Sequence, residues 1–217
     1  MSDVGRKAHW ENVYTTKHEK EVSWFQESPA PSLELIALAG LSADATIIDI
    51  GGGASRLVDA LVERKMGRIT VLDLSAAALD AAKERLAAKE RLGDRAAGVE
   101  WVVADVTIWE PSQTYDLWHD RAAFHFLTGA SDRAAYVRHL KQAVGPGGHV
   151  IIGTFALDGP ERCSGLPIMR YDEGMLGAIL GTDFRLIDSR RHDHTTPWGA
   201  VQQFQFSTFR RDSAIAR

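Results

Sequence analysis

Residues 47–55 read Ile47-Ile48-Asp49-Ile50-Gly51-Gly52-Gly53-Ala54-Ser55, an apolar strand that carries an acidic side chain into three glycines ahead of a helical pattern. Gly51 and Gly53 lack a Cβ, so the backbone can turn sharply and a bulky ligand can lie against it. Asp49 offers a carboxylate to a hydrogen-bonding or cationic group. The next apolar run, from Arg68 to Ser75, ends at Asp73, where a carboxylate at a strand's carboxyl end can accept two ribose hydroxyls. Two adjacent strand ends would then hold one nucleoside. A third strand, Val99 to Val106, closes on Asp105. Asp after a strand is also a common helix N-cap or turn residue. Its recurrence after three successive strands argues for a shared ligand.

The glycine spacing separates two cofactors. A dinucleotide fingerprint needs a third glycine three residues after the second, and that position is Arg56. A pyrophosphate would gain nothing from Asp49, whereas a ligand with a free ammonium and no phosphate would. S-adenosyl-L-methionine (SAM) has an amino-acid end, a ribose, an adenine and a cationic sulfonium, in the order in which the chain presents partners. On these motifs the sequence resembles the class I SAM-dependent methyltransferases from about Trp10 to the last strand. The resemblance implies SAM as cofactor, with S-adenosyl-L-homocysteine (SAH) as product. It assigns the amino-acid end to Asp49, Gly51 and Gly53, the ribose to Asp73 with Leu74 beside it, and the adenine to Asp105 and Val106.

The chain alternates strands and helices. Helical patterns occur near Lys7–Tyr14, Pro31–Ala39, Ser55–Lys65, Ser75–Leu92, Ala134–Val144 and Asp172–Leu180, and strands end near Ile50, Leu72, Val103, Trp118, Thr154, Ile187 and Phe209. Gly145-Pro146-Gly147-Gly148 marks the break before the fifth strand. The expectation is an α/β fold: a doubly wound, mostly parallel seven-stranded sheet with ligands at the carboxyl ends of the strands. The family resemblance adds a Rossmann-like methyltransferase topology with an antiparallel last strand. Its 217 residues are expected to form one domain, with residues 1–40 as an N-terminal helical lid and 41–217 as the SAM-binding core.

Net charge is −4, with Lys and Arg interspersed among acids, so no nucleic-acid groove is expected. The single cysteine, Cys163, excludes an internal disulfide and fits a reducing compartment. No signal peptide or bilayer-length apolar run is visible, which points to a cytoplasmic protein with no membrane partner, expected to be monomeric. His192 and His194 alternate like ligands on one strand face but lack an obvious third, so no metal is expected.

Trp10, Tyr14 and Trp24 precede the sheet. They either plug one end of it or cover the cofactor, because aromatic faces attract cations such as a sulfonium by about 0.5–2 kcal/mol. The segment is similar to two methyltransferase groups, the thiopurine methyltransferases and the lysine methyltransferases of citrate synthase and elongation factor 1-alpha, and the resemblance makes these three residues cofactor contacts. After the fourth strand, Trp118-His119-Asp120-Arg121-Ala122 resembles the thiopurine group's Trp-Asp-Arg-Gly/Ala, with His119 inserted. This favours a small-molecule acceptor with a thiol or other soft nucleophile. A protein-lysine acceptor is the runner-up, and a SAM-binding module without turnover or a nucleotide-binding oxidoreductase is the alternative of another class. His119, Asp120 and His125 are the candidate proton acceptors, with His119, just past the strand, also a candidate cofactor contact.

Overall fold

Thr46–Ile50 forms β1, a strand buried along its whole length, as a central parallel strand covered on both faces should be. The structure is a computed structural model and describes residues 3–89 and 92–212. β1 pairs in parallel with β2 (Arg68–Asp73) on one side and β4 (Tyr115–Arg121) on the other. β3 (Glu100–Val103) adds outside β2, and β5 (Val144–Phe155) adds outside β4. β9 (Val201–Arg211) then pairs antiparallel with both β5 and β8 (Phe184–Thr195). The seven-stranded order is β3-β2-β1-β4-β5-β9-β8, so strand order reverses between β1 and β4. Ligands of such sheets lie at that reversal, outside the carboxyl ends. A two-stranded ribbon, β6 (Arg162–Cys163) with β7 (Leu166–Pro167), stands apart.

Side chains alternate between two apolar layers, as the two-residue period of a strand requires. Ile47 joins a core with α2 (Ala30–Leu38), α3 (Leu57–Glu63) and α4 (Ala76–Ala87), whereas Ile48 and Ile50 join one with α6 (Ala130–Ala143) and α7 (Glu173–Leu180). Helix α1 (Asp3–Thr16) precedes them, and a short α5 (Asp94–Ala97) leads into β3.

Several boundaries differ from the sequence reading. The helix expected over Ser75–Leu92 ends at Ala87, capped at its start by the Ser75 hydroxyl, which accepts from Ala78 N; Glu90 and Arg91 lie outside the described residues. The fourth strand continues past Trp118 to Arg121, so His119 lies within it. It continues because β1 and β5 flank it, supplying ladder partners that local propensity does not reveal. Strand β8 runs through Arg190 and Arg191 to Thr195 because β9 pairs it from Asp188 to Thr195, beyond a register shift at Ile187, while its outer edge is charged, as edge strands often are. The break at 145–148 becomes an irregularity inside β5, with Val144 already paired to Tyr115.

Candidate functional site

The carboxyl ends of β1–β4 open into a cavity with about 780 Å³ of empty space, the open solvent at its mouth included. Its floor is Ile50, Gly51, Leu72, Asp73 and Leu74, one wall is Ala104, Asp105 and Val106, and the far wall is Arg121, Ala122 and Ala123. Trp10 and Tyr14 of α1, Trp24 and Phe126 cover it. Trp10 meets Trp24 and Phe126 edge to face at ring-centroid distances of 5.6 and 4.9 Å, and the Tyr14 hydroxyl accepts from Trp24 Nε1 at 3.2 Å. The three aromatics expected ahead of the sheet are therefore brought together over its reversal point.

Gly51 has φ +65° and Gly53 φ +45°, values that L side chains rarely adopt. A Cβ on Gly51 would stand 2.6 Å from the Ala123 Cβ, and one on Gly53 would stand 3.0 Å from both Asp73 Oδ2 and the Tyr14 hydroxyl. The glycines thus let the turn after β1 approach the turn after β4 and keep space open beside Asp73. Gly52, which sequence reasoning passed over, is equally constrained: a Cβ there would meet Asp49 Oδ2 at 2.7 Å. The Asp73 Oδ1 accepts from Ser75 N at 2.8 Å. Burial pushes the Asp73 carboxyl up to about 7; nearby Asp49 adds to this, and backbone N–H groups of Ser75, Gly53 and Leu74 oppose it. Asp105 also lines the cavity, with Oδ1 accepting from Thr107 N and Oγ1 and Oδ2 from Arg6 Nη2 at 3.0 Å.

Asp49 and His119 stand behind the floor. His119 Nδ1 lies 2.7 Å from Asp49 Oδ1, and Nε2 lies 2.9 Å from the Ser32 hydroxyl. All three residues are buried, and neither Asp49 nor His119 lines the cavity. Asp120 is also buried: its Oδ1 accepts from Ala123 N and its Oδ2 from the Tyr136 hydroxyl, both within 2.9 Å. Burial pushes its carboxyl up to about 6. The Asp120 carboxylate staples a turn in which Ala122, at φ +67°, adopts a conformation disfavoured for a residue with a Cβ. His125 is fully buried in a short 3₁₀ turn, and burial lowers its imidazole to about 3, with Arg121 contributing. All three candidate proton acceptors therefore support the wall, while none lines the cavity.

Sequence reasoning missed Arg6, Phe126, Arg121 and Cys163, which do line it. Arg6 on α1 pairs with Asp105 and also with Asp132 of α6. Arg121 closes β4; its Nη1 donates to the Trp24 carbonyl at 3.1 Å, and its guanidinium lies 5.3 Å from the centre of the Phe204 ring. Cys163 reaches the cavity from the β6 ribbon, its thiol pushed up to about 11 by burial. Only Arg121 carried a usable signal, as the first cation after the fourth strand; the others arrive through long-range packing.

Of the residues the sequence assigns to the cofactor, Gly51, Asp73, Leu74, Asp105 and Val106 line this cavity beneath Trp10, Tyr14 and Trp24, while Gly53, beside Asp73, is not among the lining residues. A family profile described as a methyltransferase domain matches residues 48–150. A trans-aconitate 2-methyltransferase of Paracidovorax citrulli is 33% identical over 129 residues, covering 58% of this chain and 45% of that protein. A malonyl-[acyl-carrier protein] O-methyltransferase of a Paenibacillus species is 29% identical over 120 residues, covering 54% and 41%. The chain thus spans less than half the length of these two relatives. The crystal structure of Burkholderia thailandensis 1,6-didemethyltoxoflavin-N1-methyltransferase, with its substrate and SAH bound, superposes with a TM-score of 0.73 at 22% identity, covering 98% of this chain and 92% of that one. That likeness concerns the fold.

Proposed function

We infer the reaction from membership: this chain belongs to the class I SAM-dependent methyltransferases, and the reading we adopt is methyl transfer from SAM to a small-molecule acceptor. The observation that carries it is the placement of Asp73, the Gly51–Gly53 turn and the aromatic cover around one cavity at the sheet's reversal point. A relative named for trans-aconitate supports a small acceptor. SAM would supply an electrophilic methyl on a good leaving group. Asp73 would accept the ribose hydroxyls, and Leu74 and Val106 would flank the adenine beside Asp105. Trp10, Tyr14 and Trp24 would exclude water and face the sulfonium charge with aromatic surface. Residues 1–40 act in this reading as the lid of a single domain.

What the wall of the cavity lacks narrows the acceptor. Its titratable side chains are Arg6, Tyr14, Asp73, Asp105, Arg121 and Cys163; His119, Asp120 and His125 lie behind it. Asp73 and Asp105 are allotted to the cofactor, so the chain's contribution to transfer is proximity and orientation. A nucleophile that carries its own available lone pair, such as a thiolate or another soft anion, suits this pocket better than an ammonium that must first lose a proton.

Calorimetric titration with SAH and with NADH tests the cofactor. Saturable SAH binding is expected, weakened by about 1–3 kcal/mol in Asp73→Ala, and binding of NADH alone would defeat the reading. Radiolabelled methyl from SAM, offered to a lysate separated into protein and small-molecule fractions, tests the acceptor. Label is expected in small molecules, whereas label confined to lysines of one protein band would replace that acceptor with a protein.

A further inference from the structure

Arg121 carries a feature that the methyltransferase reading leaves without a use. Its Nη1 is committed to the Trp24 carbonyl, whereas Nε and Nη2 are buried and, among the described residues, have no hydrogen-bond partner. Nε–H and Nη2–H share one edge of the guanidinium and point the same way, which is the fork that meets both oxygens of a carboxylate. Leaving such donors buried and unmet is costly, more so for a charged group. Burial lowers the guanidinium to about 10, against the pull of Asp49, Cys163 and Tyr14, so it remains a cation at neutral pH.

We propose that the Nε/Nη2 edge of Arg121 is a carboxylate receptor serving the methyl acceptor, so that the acceptor is a small organic acid whose carboxylate is gripped beside the reacting atom or is itself the nucleophile. The inference rests on the methyltransferase reading and adds the acceptor's charge. The position of Arg121 in the sheet favours the acceptor over the cofactor's own carboxylate. Asp73 closes β2 and Asp105 follows β3 on one side of the reversal, whereas Arg121 ends β4 on the other, paired opposite Gly153 of β5. It packs on Phe204 of β9, and Cys163 of the β6 ribbon lines the same cavity. The apolar surroundings strengthen a guanidinium–carboxylate pair by excluding competing water. An acceptor entering as an ammonium would add a third positive charge to those of Arg121 and the sulfonium, and the pocket opposes it.

The test compares wild type with Arg121→Gln, which keeps a polar head, and Arg121→Lys, which keeps the charge without the fork. Each protein is titrated with SAH and with 5′-methylthioadenosine, which has the same nucleoside and no amino-acid tail. Unchanged affinity for methylthioadenosine establishes that a variant is folded with its nucleoside site intact. SAH-saturated protein is then titrated with trans-aconitate, 3-mercaptopropionate and benzoate, and with cysteamine as the cationic counterpart of the thiol acid. The expected result is that at least one carboxylate binds wild type, that Arg121→Gln weakens it tenfold or more and Arg121→Lys by less, that cysteamine does not bind, and that SAH affinity stays within threefold. Tenfold loss of SAH affinity with methylthioadenosine unaffected would overturn the acceptor assignment, because the fork would then hold the cofactor's carboxylate. Preference for cysteamine, absence of any carboxylate binding to wild type, or equal binding by Arg121→Gln would likewise overturn it. If wild type bound neither SAH nor methylthioadenosine, the methyltransferase reading would itself have failed.

Discussion

His119 sits between two buried oxygens, the Ser32 hydroxyl and the Asp49 carboxylate. A carboxylate can only accept, so Nδ1 carries the hydrogen toward Asp49, while the Ser32 hydroxyl, which can donate or accept, meets Nε2. This chain fixes the Asp49 side chain directly beneath Gly52, where a Cβ would already meet Asp49 Oδ2. His119 is therefore a positioning residue for the acid that precedes the glycine turn. His119→Leu would leave a carboxylate and a hydroxyl buried without their partner, at a cost of about 1–3 kcal/mol. His119→Asn, whose amide can still donate toward Asp49, is expected to recover more than half of that loss. Urea denaturation monitored by circular dichroism checks the stabilities. Asp49 lies behind the floor, so it would act on the amino-acid end through its charge and the glycine turn; SAH affinity should then follow the same order while affinity for 5′-methylthioadenosine, which has no ammonium, stays constant, and equal losses for both ligands would remove Asp49 from the amino-acid end.

At the scale of elements, Arg6 ties helix α1 to the cavity wall. Arg6 reaches Asp105 at the end of β3 and Asp132 at the start of α6, so a segment at the start of the chain is tied to two distant elements. Arg6→Ala is expected to loosen α1 and, with it, Trp10 and Tyr14, weakening SAH binding by about 1–2 kcal/mol, the scale of a partly buried charged hydrogen bond. Faster hydrogen exchange across residues 3–16 in the variant, slowed again by saturating SAH, is the signature to look for. The helix itself was legible from its sequence pattern, as were the strands ending at Ile50, Leu72 and Val103, because their apolar runs and the acids and glycines that follow are local. Arg6 was not, since nothing local distinguishes it from a solvated arginine. That His119, Asp120 and His125 stand behind the wall was not legible for a related reason: an acid or imidazole near a strand end reads as reactive, and only the continuation of β4 to Arg121 and the buried turn at Phe124–Phe126 set these side chains off from the cavity. The strand expected to end near Ile187 runs on as β8 to Thr195, and that extent was only partly legible, since the polar, charged run acquires strand form from β9 rather than from its own propensity.

For the whole molecule, buried ionisable groups link folding and ligand binding to pH. The Asp73 and Asp120 carboxyls are raised by burial to about 7 and about 6, above an unfolded value near 3.9. Each therefore contributes stability that is fully present below about pH 4 and lost as pH rises through its folded value. His125 has the opposite sign: lowered to about 3, it contributes stability above the unfolded value near 6.5 that is lost as pH falls toward 3. Between pH 6 and 8 the changing group that lines the cavity is Asp73, because Asp120 and His125 stand behind it. Ribose hydroxyls donating to the ionised carboxylate would stabilise that form and draw its titration downward. SAH binding near pH 6.5 is therefore expected to release a fraction of a proton, read as a dependence of calorimetric enthalpy on the buffer's ionisation enthalpy, and to raise the melting temperature more at pH 8 than at pH 6. Asp73→Asn should abolish both the proton release and the pH dependence, whereas Asp120→Asn should leave them in place while flattening the stability profile of the ligand-free protein. Proton release that survived Asp73→Asn would assign the titrating group elsewhere and separate Asp73 from the ribose.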